Sequence, residues 1–212
     1  QLIWDWGNLD SEVSNDPGSY TYDAWGTFDI SLIIDNGACN DTTIQTIEIT
    51  APAPIAEFSG SGIGCAPLTV SFNNESLYGA SFFWDFGDGG ISTADSPVYT
   101  YFQPGVYDVT LTVFGFNPGE TDVYTLEAAV EVNPSAVAAF VVTPDQVNVP
   151  GQPVYTVNLS QFSANYEWDF GDGNTSNEEN PVQFYQTPGE YSIQLIANNQ
   201  YNCPDTLIRY DL

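Results

Sequence analysis

Carboxylates are the side chains with which this chain could do chemistry, and four of them recur in register. Asp85 and Asp88 lie in Trp84-Asp85-Phe86-Gly87-Asp88-Gly89, and Asp169 and Asp172 lie in the identical string Trp168-Asp169-Phe170-Gly171-Asp172-Gly173. Carboxylates in pairs can hold calcium through hard oxygen ligands, or serve as acid and base on a glycosidic bond. Asn177-Glu178-Glu179-Asn180 adds further oxygen ligands downstream. No Asp-x-Asp-x-Asp-Gly loop of the EF-hand kind accompanies them, and Asp-Gly already has a sufficient role in making a turn. Calcium at Asp85, Asp88, Asp169 and Asp172 therefore stands as a candidate beside that turn-forming role, and no other cofactor is expected.

The remaining inventory excludes whole classes of function. There are 28 acidic residues against one basic residue, Arg209, with neither Lys nor His, for a net charge of -27. A Ser-His-Asp or Cys-His relay, a Schiff-base lysine and a phosphate-cradling lysine are all impossible, so a non-catalytic chain is expected. The field repels polyanions, which excludes nucleic acid and disfavours anionic membrane surfaces; no direct membrane insertion is expected. The three cysteines, Cys39, Cys65 and Cys203, have no zinc-ligand spacing, and their odd number leaves at least one thiol unpaired or bonded outside this segment.

Short strands and turns must position these residues. Thr, Val, Ile, Tyr and Phe are plentiful among 18 Gly and 14 Pro, and no amphipathic helical stretch stands out. Alternation puts Trp84 and Phe86 on one strand face and Asp85 on the other, while Tyr107, Val109, Leu111 and Val113 share a face on a later strand. Asp88-Gly89 and Asp172-Gly173 are expected to supply the positive φ angles of a tight hairpin. A tryptophan buries roughly 200 Å², so Trp84 or Trp168 at the centre of a two-layer sheet contributes on the order of 5 kcal/mol as an upper bound.

The string is one part of a longer repeat. A Gly-x-Tyr, Gly105-Val106-Tyr107 and Gly189-Glu190-Tyr191, begins 21 residues after each Trp, and Pro97 to Tyr101 matches Pro181 to Tyr185. Ile3-Trp4-Asp5-Trp6-Gly7 followed by Gly26-Thr27-Phe28 is an eroded third copy, with Gly7-Asn8-Leu9-Asp10 in place of Gly-Asp-Gly and Phe28 in place of the Tyr.

The repeat resembles the PKD domain, an immunoglobulin-like β-sandwich of large secreted and cell-surface proteins. The resemblance implies an all-β chain of tandem sandwiches arranged as beads: a truncated, divergent repeat over 1–50, a second over 51–134 and a third over 135–212. It also puts Tyr107 and Tyr191 at the tyrosine corner of such sandwiches, where a hydroxyl bonds back to the chain. Proline at Ala51-Pro52-Ala53-Pro54 and near Pro134 is expected to space the beads semi-rigidly. Repeats two and three open with Ala56-Glu57-Phe58 and Ala138-Ala139-Phe140, 28 residues before their Trp, whereas only three residues precede Trp4. The first two strands of repeat one are therefore expected to come from a longer polypeptide or from another chain.

In similar repeats from surface proteins of gliding bacteria, a Cys in Gly-Cys-x-Pro pairs with one in a late hairpin. Gly64-Cys65-Ala66-Pro67 carries the first half here, and Asn36 to Thr42 and Tyr201 to Thr206 carry the second. Two outcomes are open for Cys39: a bond to Cys65 that staples repeats one and two, or a partner lost with the missing strands. The resemblance further implies an extracellular, cell-surface location and two classes of function. One is a spacer in an adhesin or filament, partnered by neighbouring repeats and lateral copies. The other is a carbohydrate- or protein-binding accessory module of a secreted hydrolase. Aromatics outside the core pattern, Trp6, Trp25, Tyr20, Tyr22, Phe82, Tyr99 and Phe116, bear on that choice, because an exposed coplanar set suits sugar stacking and cross-strand packing does not.

Overall fold

The structure, a computed structural model, describes residues 1–210. Alternating apolar residues with β-branched neighbours extend into strands throughout, and every described element is β. Repeat one contributes β1 (Leu2–Asp5), β2 (Ser11–Val13), β3 (Gly26–Asp35) and β4 (Asn40–Ile49), which form one sheet in the order β2-β1-β3-β4. Among the described residues no second sheet pairs over this one. Its apolar side chains stay partly open to solvent, with Ile34 50% and Ile44 64% exposed.

Repeat two is a complete sandwich. It comprises β5 (Phe58–Ser59), β6 (Gly62–Cys65), β7 (Leu68–Ser71), β8 (Asn73–Asn74), β9 (Gly79–Asp85), β10 (Ile91–Ser92), β11 (Val98–Tyr101), β12 (Gly105–Gly115) and β13 (Thr121–Asn133). One layer runs β10-β9-β12-β13-β6, with the last pair parallel; the pairs β11-β7 and β5-β8 lie opposite. Val109, Leu111 and Val113 are fully buried from one face of β12, as the alternation predicts, and pack with Trp84, Phe58 and Phe72.

Repeat three has β14 (Phe140–Thr143), β15 (Val154–Asn158), β16 (Asn165–Asp169), β17 (Thr175–Ser176), β18 (Val182–Gln183), β19 (Ile193–Asn198) and β20 (Asp205–Arg209). Its layers are β17-β16-β19-β20 and β14-β15-β18 around Trp168, Phe140 and Leu195. The three repeats share one register at the tryptophan, which faces a leucine on the neighbouring strand: Trp4 opposite Leu32, Trp84 opposite Leu111 and Trp168 opposite Leu195.

Candidate functional site: the repeated hairpin and the inter-repeat staple

The repeated carboxylates hold the hairpin. Asp85 Oδ1 accepts a hydrogen bond from Gly87 N at 2.9 Å and Asp88 Oδ1 from Gly90 N at 2.9 Å. Asp169 accepts from Gly171 N at 2.8 Å and Asp172 from Asn174 N at 3.1 Å. In repeat one Asp5 accepts from Gly7 N at 2.9 Å, and Asn8 stands in for the second aspartate. Backbone closure is shared too, from Trp6 N to Asp10 O, Phe86 N to Gly90 O and Phe170 N to Asn174 O. These are side-chain turns that satisfy amides the ladder leaves unpaired. Among the described residues no three His, Cys, Asp or Glu side chains group as metal ligands.

One expectation about the turn is corrected. The positive φ angles fall on Gly87 (81°) and Gly89 (93°), and on Gly171 (74°) and Gly173 (90°), with neither aspartate in the left-handed region. The hairpin is thus longer than an Asp-Gly two-residue turn, and each aspartate sits between or before glycines as a hydrogen-bond acceptor. Gly87 and Gly171 also meet the adjacent strand: a Cβ there would lie 2.4 Å from Asp108 O and 2.6 Å from Ser192 O.

The tryptophan is anchored as well as buried. Trp84 Nε1 donates to Ala94 O at 2.9 Å, Trp168 Nε1 to Glu178 O at 2.9 Å and Trp4 Nε1 to Ser14 O at 3.2 Å, each ten residues on. The corner tyrosines bond back as expected, Tyr107 Oη to Gln103 O and Tyr191 Oη to Thr187 O, both at 2.8 Å.

A second set of tyrosines, away from the corner, also bonds to the hairpin. Tyr101 Oη and Tyr185 Oη cross the buried core to donate to Phe86 O and Phe170 O, each at 3.1 Å, and Tyr22 Oη donates to Trp6 O at 2.8 Å. In repeats two and three they tie the hairpin to the opposite layer, and in repeat one to the loop that precedes β3. Burial, reinforced by the Asp172 charge, pushes the Tyr185 phenol up to about 12, and burial raises Tyr101 likewise. The residue two before each of these tyrosines completes the lock. Tyr99 Oη donates to Asp88 Oδ1 at 3.0 Å, Gln183 Nε2 to Asp172 Oδ2 at 2.6 Å, and Tyr20 Oη to the Asp10 carboxylate. The signal was present in the sequence as a polar-x-Tyr ending 15 or 16 residues after the third motif position.

Most of the extra aromatics are accounted for by packing. Tyr20 stacks on Trp6 with centroids 4.5 Å apart at 7°, and Tyr99 on Phe86 at 4.0 Å and 12°. Tyr22 packs on Phe28, and Phe82 on the core of repeat two. Trp25, Phe116 and Tyr78 remain 46%, 50% and 41% exposed and bridge repeats one and two. Trp25 meets Phe116 at 40° and Tyr78 at 84°, so the three rings share no plane.

The disulfide corrects the Cys39–Cys65 expectation. Cys65 is bonded to Cys203, 138 residues away, and Cys39 is a free, exposed thiol. Strand direction explains the difference. Cys39 sits in the β3–β4 hairpin, and the ten residues of β4 carry the chain about 30 Å towards repeat two. Cys65 lies opposite Asn133, where the chain leaves repeat two for repeat three. The Cys203 hairpin of repeat three meets it there, with Ile34 opposite Asp41 and Ala197 opposite Asp205 marking the two hairpins as equivalent. Hydrogen bonds close the same junction. Ser135 Oγ donates to Ala66 O at 2.6 Å, Asn199 Nδ2 to Pro134 O at 2.6 Å and Ala136 N to Cys203 O at 2.9 Å.

Two layers closed over a hydrogen-bonded tryptophan and pinned at a tyrosine corner define an immunoglobulin-like β-sandwich module. The chain belongs to the PKD domain family, whose model matches residues 51–130 and 133–210. The PKD1 domain of the Vibrio cholerae metalloprotease PrtV is 34% identical, covering 38% of this chain and 99% of that one with a TM-score of 0.32. The PKD1 domain of Vibrio anguillarum Epp is 36% identical, covering 39% of this chain and 98% of that one with a TM-score of 0.33. Among whole proteins, the pre-pro-metalloprotease PrtV of Vibrio cholerae is 34% identical over 73 residues, 34% of this chain. Collagenase ColQ1 of Bacillus cereus is 53% identical over 34 residues, 16% of this chain. The matches span 8% and 4% of those two proteins.

Proposed function

We propose that the chain is a non-catalytic spacer in a long extracellular, cell-surface protein such as an adhesin or filament, holding an active module away from its anchor. The observation that carries this reading is the Cys65–Cys203 bond, which fixes one repeat to the next rather than closing a site within a repeat. The motif supports it, because its carboxylates, glycines, tryptophans and tyrosines are engaged in turns and core contacts. Its partners are then neighbouring repeats of the same polypeptide and lateral copies.

A second reading, an accessory module that binds carbohydrate or protein beside a hydrolase, is favoured by the likeness to a metalloprotease and a collagenase. The exposed cluster of Trp25, Phe116 and Tyr78 would be its contact surface. Binding of the whole chain to collagen fibrils and to a glycan array separates the two. The spacer binds neither beyond the level of an unrelated acidic sandwich, whereas binding abolished by Trp25→Ala establishes the accessory module.

A further inference from the structure

An aspartate accepts from the amide of the glycine two residues on at Asp5, Asp85 and Asp169, and again in the β3–β4 hairpin, where Gly37 N donates to Asp35 Oδ1 at 2.7 Å. The residue between the two differs. It is Trp6, Phe86 and Phe170 in the three motif turns, and Asn36 in the hairpin. An asparagine followed by glycine can close a five-membered ring, because its Cγ is within reach of the next backbone nitrogen and glycine has no Cβ to obstruct the approach.

The groups that such a closure needs converge on Asn36. Its Oδ1 accepts from Cys39 N at 2.9 Å and from Ala38 N at 3.0 Å, so two backbone amides stand where negative charge would develop on that oxygen. The Asp35 carboxylate holds the proton of the attacking nitrogen, within the reach required of a general base. Gly37 sits at φ 85° with open space where a side chain would stand, and both Asn36 and Gly37 are exposed, so water has access to the ring.

Repeat three carries an internal comparison. Asn198, Asn199 and Gln200 take the places of Asp35, Asn36 and Gly37, counted from the equivalent pairs Ala197 with Asp205 and Ile34 with Asp41. Asn199 Oδ1 also accepts from two amides, Tyr201 N at 3.0 Å and Cys203 N at 3.1 Å. There, however, an amide replaces the base and a glutamine replaces the glycine, and Asn199 Nδ2 is held by Pro134 O at 2.6 Å.

We propose that Asn36 is a self-modification site, where the chain converts its own asparagine to aspartate and β-linked isoaspartate through a succinimide. Gly37 N bonds to Asn36 Cγ as its proton passes to Asp35. The Cγ–Nδ2 bond then breaks, and the side-chain nitrogen leaves as ammonia with the proton that Asp35 returns. Water opens the ring at either carbonyl carbon, so one amide and one water become one carboxyl group and one ammonia, with no oxidant or cofactor. The product adds a negative charge three residues from Cys39, and its β-linked form adds one backbone atom to the hairpin. This chemistry is the same whether the repeats serve as spacers or as accessory modules.

The test follows the whole folded chain at neutral pH by peptide mapping, with electron-transfer fragmentation separating the two aspartyl isomers. Asn36 should convert at least about ten times faster in the folded chain than in the free peptide of residues 34–40, while Asn199 stays an amide. Asp35→Asn and Asp35→Ser both keep an acceptor for Gly37 N but lack the base, and each should slow conversion at least about tenfold. Two such variants guard against a hairpin loosened by either one. Conversion no faster than in the peptide overturns the proposal, as do undiminished rates in the two variants or equal conversion at Asn199.

Discussion

Gly87 and Gly89 are two residues apart in one turn and are held to glycine for different reasons. At both, a side chain pays the left-handed cost of roughly 1–2 kcal/mol, but only at Gly87 does a Cβ also run into the Asp108 carbonyl. Gly87→Ala should therefore destabilise repeat two by about 3 kcal/mol and Gly89→Ala by about 1 kcal/mol, read from the urea midpoint of its transition. The eroded copy offers the converse. Leu9, fully exposed at φ 77°, occupies the position of Gly89, so Leu9→Gly should stabilise the first hairpin by about 0.5 kcal/mol, the relieved strain less the flexibility of glycine. Tyr185 adds a pH dependence. Its phenol ionises near 10 in the unfolded chain and at about 12 when folded, so its contribution is complete below pH 10 and is lost as pH rises towards 12. Tyr185→Phe should flatten that alkaline loss of stability in repeat three, as thermal melts between pH 9 and 12 would register. The buried tryptophans were legible because burial follows alternation, and the corner tyrosines through the resemblance to a known sandwich, whose corner bond is local. The Tyr101 and Tyr185 bonds were not, because they join residues in opposite layers, and which layer faces which is a property of the fold rather than of spacing.

At the scale of elements, the two junctions are built unequally. The first rests on Asn117 Nδ2 donating to Ala51 O at 2.8 Å and on the Trp25 contacts, the second on a covalent bond with three hydrogen bonds around it. The Cys65–Cys203 link closes a loop of 138 residues, which in the chain-entropy picture corresponds to about 4–5 kcal/mol against the joint unfolding of repeats two and three. Cys203→Ser, in a Cys39→Ser background that removes the free thiol, should lower their joint stability by that order and leave repeat one unchanged in calorimetry. The Cys65–Cys203 pairing could not be read from the sequence. Motif halves identify which cysteines are equivalent, but strand direction decides which end of a bead each one reaches, and Cys39 lies at the end of β4 remote from repeat two.

At the scale of the whole molecule, charge and covalent topology act together. A net charge of -27 on unequally joined repeats should hold them apart at low salt, and the Debye length of about 8 Å at physiological ionic strength should let the first junction relax as salt is added. Small-angle scattering should show a radius of gyration that falls with salt, and a larger fall once the staple is reduced. The disulfide also reroutes tension. A pull on the two ends runs through the chain to Cys65, crosses to Cys203 and leaves through β20, so residues 66–202 carry none of it while the bond is intact. The most direct measurement is single-molecule extension of the Cys39→Ser chain, oxidised and then reduced. The oxidised chain should release length from outside the 66–202 loop only, and reduction should add about 450 Å of contour, at roughly 3.4 Å for each freed residue. Equal extension in the two states would contradict the account, because tension would then run through every repeat and the staple would join nothing.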